Sequence, residues 1–95
     1  MTVRIYMLSS PLCEHFYVGS TVASLKQRLT KHRNKSHEAP LRKIYKTIAE
    51  HGGFTNWEMS LLETVETDSD LTRFTREQFW IDELNPALNS VRARG

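Results

Sequence analysis

Two short runs of alternating apolar and polar residues open this chain, and only a five-residue segment around a proline separates them. That pattern constrains the fold more than anything that follows it. Residues 2 to 8 put Val3, Ile5 and Met7 on one face and Arg4, Tyr6 and Leu8 on the other. Residues 14 to 19 put Phe16 and Val18 opposite His15 and Tyr17. Pro11 has no N–H to give a ladder, so Ser9-Ser10-Pro11-Leu12-Cys13 reads as a turn. The two runs predict an antiparallel hairpin. A register pairing Leu8 with His15 also pairs Tyr6 with Tyr17, and opposed residues share a face. Both phenols then stand side by side.

The rest of the chain is mostly helical in period. Ser24-Leu25-Lys26-Gln27 fits a capping box, and Leu25 and Leu29 anchor the helix behind it. Arg28 and His32 lie one above the other at i and i+4. At ~100° per residue His32 falls between Arg28 and the Leu25 line, at the edge of the buried stripe. Pro40 suits a first helical turn, followed by Leu41, Ile44, Tyr45 and Ile48 at helical spacing, with Gly52-Gly53 as the stop. Residues 56 to 64 read as a strand of imperfect alternation. Asp68 to Asp70 cap a last helix that runs to about Leu84, stopped by Asn85-Pro86. Its inward stripe is Leu71, Phe74, Gln78, Ile81 and Leu84. Glu77 belongs to that stripe too. A carboxylate there is costly unless it is paired, snorkels out or binds a metal.

Ninety-five residues make one domain, 1–95, with a small core and no room for a barrel or a large cofactor fold. No apolar run reaches the ~18 residues a membrane span needs, and the first residues lack a signal peptide's apolar stretch. The single cysteine, Cys13, forms no internal disulfide, which points to a soluble protein in a reducing, intracellular setting such as cytoplasm or nucleus. Nothing beside it looks like an activating base, so it reads as a small residue near a turn. Residues 26 to 46 hold eight Lys or Arg against one acid, Glu38, a net +7; the remaining residues hold five basic and ten acidic groups, a net −5. Segregation of this kind is the footprint of phosphate binding, and also of a merely solvated basic face. Lys26, Lys31, Arg33, Lys35, Arg42 and Lys43 are the candidates to contact a nucleic acid.

Plain readings stand beside the functional ones. Tyr6 and Tyr17 suit a strand as sheet aromatics. Arg28 and His32 suit a surface pair. His15, His37 and His51 read as surface or helix-end histidines, Trp57 and Trp80 as core, and Phe79 as pointing away from the stripe.

Taken in order, Arg4-Ile5-Tyr6, Tyr17-Val18-Gly19, then Leu25, Arg28 and His32, then Glu77-Gln78-Phe79-Trp80-Ile81 and Leu84-Asn85-Pro86-Ala87-Leu88-Asn89 resemble the GIY-YIG nuclease family. The resemblance covers about residues 3 to 89. It implies a compact α/β domain of the α+β type, a three-stranded antiparallel sheet flanked by helices. It implies a DNA endonuclease using one divalent metal, Mg2+ or Mn2+, and no small-molecule cofactor. The family's two tyrosines fall on Tyr6 and Tyr17, its arginine on Arg28, its histidine on His32, its metal-binding glutamate on Glu77 and its asparagine on Asn89. Gly19 matches a glycine whose role is close backbone packing. Two positions depart. Arg4 replaces the first glycine, harmless if the strand stays regular. Ser20 stands where some members carry a lysine, which removes one possible cation.

Phosphodiester hydrolysis needs a positioned water, a proton acceptor, and neutralisation of charge on the phosphate and the leaving oxygen. On this resemblance Glu77 holds the metal and Arg28 the phosphate. Magnesium accepts a single carboxylate completed by waters and substrate oxygens. Tyr6 is the candidate base, Tyr17 its orienting partner, and His32 a relay or phosphate ligand. A free phenol has a pKa near ~10, so Tyr6 must be lowered by a cation or relay its proton. The alternatives are a nucleic-acid-binding module silent in catalysis, and a nuclease subunit that needs a partner. No zinc-ligand spacing or helix-turn-helix accompanies the domain, and the tail Val91 to Gly95 is too short to read a sequence. Binding should be salt-sensitive and weakly sequence-selective. A double-strand cut needs a homodimer, a specificity partner or successive nicks.

Overall fold

The computed structural model describes residues 1–89, so the tail Val91 to Gly95 lies outside the described residues. The element order is β1 (Thr2–Ser10), β2 (Cys13–Thr21), α1 (Leu25–Glu38), α2 (Lys43–Glu50), one 3-10 turn (Phe54–Asn56), β3 (Glu58–Glu66) and α3 (Asp70–Leu84). The strands form one antiparallel sheet in the order β2-β1-β3. This is the α+β architecture expected, a three-stranded sheet with helices packed on it.

The first strand is central, so both of its faces are covered. Val3, Ile5, Tyr6 and Leu8 are all at most 1% exposed. Val3 and Ile5 join Val18 in a cluster that Trp80, Ile81 and Leu84 of α3 close from one side. Leu8 joins Ile44, Tyr45, Ile48 and Trp57 in a second cluster on the other side. The alternation in residues 2 to 8 thus sorts side chains between two cores, not between a core and water.

The hairpin forms, with a different register. Only Pro11 and Leu12 lie between the strands, and a bulge separates Leu8 from Ser10. Tyr6 pairs with Gly19 and Leu8 with Tyr17, two residues away from the expected Tyr6–Tyr17 and Leu8–His15 pairs. A shift of two keeps every side chain on its face. The phenols therefore remain neighbours, but diagonally, with glycine directly across from Tyr6.

Other boundaries move for local reasons. The third strand begins at Glu58 because Phe54–Asn56 is spent on the 3-10 turn. Its imperfect alternation marks a bulge: Ile5 faces Glu63 and Tyr6 faces Leu61, leaving Leu62 as the extra residue. Two leucines expected in helical stripes are exposed. Leu41 is 84% exposed because α2 starts only after Arg42, and Leu71, 66% exposed, sits in the first turn of α3. The capping box of α1 forms as read: Gln27 N–H donates to Ser24 Oγ (3.1 Å) and Ser24 N–H to Gln27 Oε1 (3.2 Å). Ser69 caps α3. No described helix is long and apolar enough to cross a membrane.

Candidate active site

Four elements converge on the Tyr6 phenol. The central strand β1 holds the ring fully buried. From α1, Arg28 donates through Nε to Tyr6 Oη at 3.1 Å. One turn later His32 Nε2 meets the same oxygen at 2.7 Å. The other imidazole nitrogen, Nδ1, is hydrogen-bonded to Tyr45 Oη of α2 at 3.0 Å. Tyr17 of β2 completes the group, its ring centroid 6.3 Å from Tyr6 and 5.7 Å from His32. His32 is only 3% exposed, so it lies inside the core and not at the edge of the helix stripe. The sheet draws it in, because the hydroxyl of buried Tyr6 needs a hydrogen-bond partner.

Gly19 is what makes room. A Cβ built there would lie 2.6 Å from Tyr6 Oη and 2.9 Å from Tyr17 Cε1. The two rings occupy the space a side chain would need, which bears out the reading of Gly19 as a packing residue.

Burial dominates the electrostatics. It pushes the Tyr6 phenol well above its ordinary value, against the opposing pull of Arg28. Of the two routes open to Tyr6, a cation that lowers the phenol or a relay of its proton, the first has Arg28 in place, but desolvation outweighs its pull. Burial likewise raises Tyr17, with Glu77 adding to the rise and Arg28 opposing it, and it raises Tyr45. His32 is pulled down to about 4 by burial, then by Arg28 and Arg42. It is neutral at pH 7, so one ring nitrogen donates and the other accepts. Three phenols, one imidazole and one guanidinium thus form a continuous hydrogen-bonded and ring-stacked cluster.

Glu77 projects from α3, half-buried. Among the described residues it forms no ion pair, so the salt bridge weighed from the sequence is absent. Its carboxyl is raised by burial, opposed first by a hydrogen bond with Ser20 and then by the charges of Arg73 and Arg28. Arg73 donates through Nε to Ser20 Oγ (2.9 Å) and through Nη2 to the Ser20 carbonyl (3.0 Å). The cation that Ser20 seemed to remove from the site arrives from the helix instead. The donor set fits a hard cation: one carboxylate, with no group of three or more His, Cys, Asp or Glu gathered among the described residues. A tetrahedral zinc cage has no ligands here, whereas Mg2+ or Mn2+ completes its shell with water and phosphate oxygens.

Asn89 is used differently from Tyr6 and Arg28. Its Oδ1 accepts from Val18 N–H (2.9 Å) and its Nδ2 donates to the Val18 carbonyl (2.7 Å). With Leu88 N–H on the Phe16 carbonyl (3.2 Å), the C-terminal segment covers the free edge of β2 like a fragment of a fourth strand. Lys26, Lys31, Arg33, Lys35, Arg42 and Lys43 are all exposed, along α1 and at the start of α2. Arg42 also reaches the site, with its guanidinium 5.4 Å from the Tyr45 ring centroid. Tyr45, Ser20 and Arg73 are the members that sequence reading missed. A phenol in an otherwise aliphatic stripe was the available signal for Tyr45, since a buried hydroxyl demands a partner.

The chain's residues 3–90 match the family model of the GIY-YIG catalytic domain. It is 30% identical over 90 residues to the MSV199 domain-containing protein 146R of Invertebrate iridescent virus 6, covering 95% of this chain but only 36% of that protein. Two solved structures have similar folds. A variant of the catalytic domain of the intron endonuclease I-TevI superposes with a TM-score of 0.70 at 30% identity, over 90% of this chain and 86% of that one. The catalytic domain of the homing endonuclease I-TevI gives 0.68 at 29% identity, over 92% of each. In its sequence order, its sheet and the convergence of its tyrosines, arginine, histidine and glutamate, this chain belongs to the GIY-YIG catalytic domain family.

Proposed function

We propose that the chain is a metal-dependent DNA endonuclease domain that hydrolyses phosphodiester bonds. The observation that carries this reading is the Tyr6 hydroxyl held between Arg28 Nε and His32 Nε2 on the side of the sheet that Glu77 also influences. When bound to Glu77, Mg2+ or Mn2+ supplies Lewis-acid stabilisation of the phosphate and the leaving oxygen.

The protein's own groups do the rest. Arg28 is fixed by Tyr6, and its charge neutralises the scissile phosphate. Tyr6 is the base, and it works as a relay because burial disfavours a free phenolate. It takes a proton from the attacking water as its own proton passes to His32 Nε2, 2.7 Å away. Neutral His32 has the open lone pair this needs. Tyr17 packs against both rings and holds their angle. Asn89 acts as a positioning residue, through the main chain of β2. The exposed lysines and arginines of α1 and α2 hold the flanking DNA backbone, with little preference for sequence.

Supercoiled plasmid incubated with Mg2+ tests the reading. Nicking that needs both the metal and an intact Glu77, and that is lost in Tyr6→Phe while DNA binding persists, is the expected result. Binding without any nicking would identify a silent module. Nicking that appears only when a partner is added would identify an incomplete subunit. Normal cutting by Tyr6→Phe would sink the assignment of the base.

A further inference from the structure

Tyr45 meets His32 at the ring nitrogen that Tyr6 leaves free. The directions of these bonds follow from Arg28. A guanidinium donates and never accepts, so Arg28 Nε–H occupies a lone pair of Tyr6 Oη at 3.1 Å. The phenol's own proton then needs an acceptor, and among the described residues His32 Nε2, at 2.7 Å, is the partner that can accept it. A neutral imidazole that accepts at Nε2 carries its proton on Nδ1. That proton is given to Tyr45 Oη, 3.0 Å away. The donors therefore run in one direction, from Arg28 through Tyr6 and His32 to Tyr45.

Packing holds Tyr45 in that place. It is 4% exposed, on the buried face of α2 with Ile44 and Ile48. Its ring belongs to the cluster of Leu8, Trp57 and Leu88, with the Phe54 ring centroid 6.4 Å away. A phenylalanine would fill the same space. What the tyrosine adds is one oxygen, and among the described residues that oxygen is hydrogen-bonded to His32. When the relay moves the Tyr6 proton onto Nε2, His32 becomes an imidazolium with both nitrogens donating. A buried charge without partners is costly. The bond from Nδ1–H to Tyr45 then becomes charge-assisted and roughly doubles in strength, so it favours the proton-transfer state over the resting one.

We infer that Tyr45 is a positioning residue for the proton relay: its hydroxyl holds the Nδ1 proton of His32, which keeps the Nε2 lone pair turned to Tyr6 and stabilises the imidazolium that forms there. The inference rests on the proposed nuclease reading. Long-range proton–nitrogen NMR of the metal-free protein at pH 7 tests it without turnover, with the His32 signals identified by their loss in His32→Gln. The wild type should show one His32 tautomer, protonated on Nδ1. In Tyr45→Phe both ring-nitrogen shifts should move toward the average of the two tautomers. Single-turnover plasmid nicking with Mg2+ should fall about tenfold in Tyr45→Phe, the difference between a neutral and a charged hydrogen bond. Metal-free plasmid binding should be unchanged. Ile48→Val trims the same cluster, keeps the hydroxyl and should nick normally. In a His32→Gln background Tyr45→Phe should cost nothing further, because Tyr45 acts through the imidazole.

A wild-type His32 protonated on Nε2, or ring-nitrogen shifts unmoved by Tyr45→Phe, would overturn the inference. Normal nicking by Tyr45→Phe, from a wild type that nicks with Mg2+, would overturn it and leave the nuclease reading standing. Equal losses in Ile48→Val and Tyr45→Phe would reduce Tyr45 to a packing residue. A wild type that never nicks would overturn the nuclease reading and the role of Tyr45 with it. If Tyr45→Phe does not fold, the wild-type tautomer and the His32→Gln background still decide the question.

Discussion

Adding one methyl group to Gly19 should disable the site without removing any group that handles a proton. The new Cβ would lie 2.6 Å from Tyr6 Oη, 2.7 Å from Tyr6 Cζ and 2.9 Å from Tyr17 Cε1. Ordinary carbon contacts begin about 0.8 Å further out, so a ring or a strand must move by roughly that much. Tyr6 cannot yield cheaply. It is fully buried, and its oxygen is pinned by His32 at 2.7 Å and Arg28 at 3.1 Å. Overpacking of this kind costs about 1–3 kcal/mol, and a weakened phenol hydrogen bond about 1 more. Gly19→Ala should therefore lose about 2–4 kcal/mol in urea unfolding and, where it is still folded, about a hundredfold in plasmid nicking, since a reacting group displaced by about 1 Å loses that much. Gly53→Ala is the control. Nothing lies within 4 Å of its Cβ, although its φ of +75° makes a side chain strained, so it should cost stability and leave nicking alone. Wild-type stability and wild-type nicking in Gly19→Ala would refute the claim that glycine is there to seat the tyrosines.

Two further outcomes follow from buried groups. His32 sits at about 4 in the folded protein against 6.5 when free, so the unfolded chain takes up its proton first as the pH falls. Stability should be lost progressively between pH 6.5 and 4, by up to about 3 kcal/mol. Glu77, raised by burial, works in the opposite sense, so the window is best read as the difference between wild type and His32→Gln in urea melts across that range. Equal pH slopes in the two proteins would contradict a buried neutral histidine. Asn89→Ala strands the main-chain N–H and carbonyl of fully buried Val18, and should cost about 2 kcal/mol. Asn89→Asp should be no better, because a carboxylate oxygen would face the Val18 carbonyl. Full stability in either variant, with cutting lost, would move Asn89 from positioning β2 to contact with the substrate.

Much of this architecture was legible in the chain because its local signals agree with one another. Alternation in residues 2 to 8 and 14 to 19 gave the hairpin and the shared face of Tyr6 and Tyr17. The capping box at Ser24 and the four-residue spacing of Arg28 and His32 were read correctly, since both depend on the helix alone. Glu77 stood out as a charge in an apolar stripe. The order and spacing of these residues was enough to indicate the family before any coordinates. Register was misjudged because alternation is blind to a shift of two, and only the bulge beyond Leu8 and the fit of the Tyr6 ring over Gly19 distinguish the alternatives.

What the sequence determined by itself was therefore a matter of period and of residue type: which elements form, which faces they bury, and which side chains could do chemistry. The tertiary structure decided which of those groups share a proton. Tyr45 looked like one more core residue until α2 packed against α1 and set its hydroxyl 3.0 Å from His32. Asn89 matched the family's asparagine by position along the chain, and the fold sets its amide on the main chain of β2. Hydrogen bonds between elements depend on distances of a few tenths of an ångström across the sheet, and no spacing along the chain encodes those.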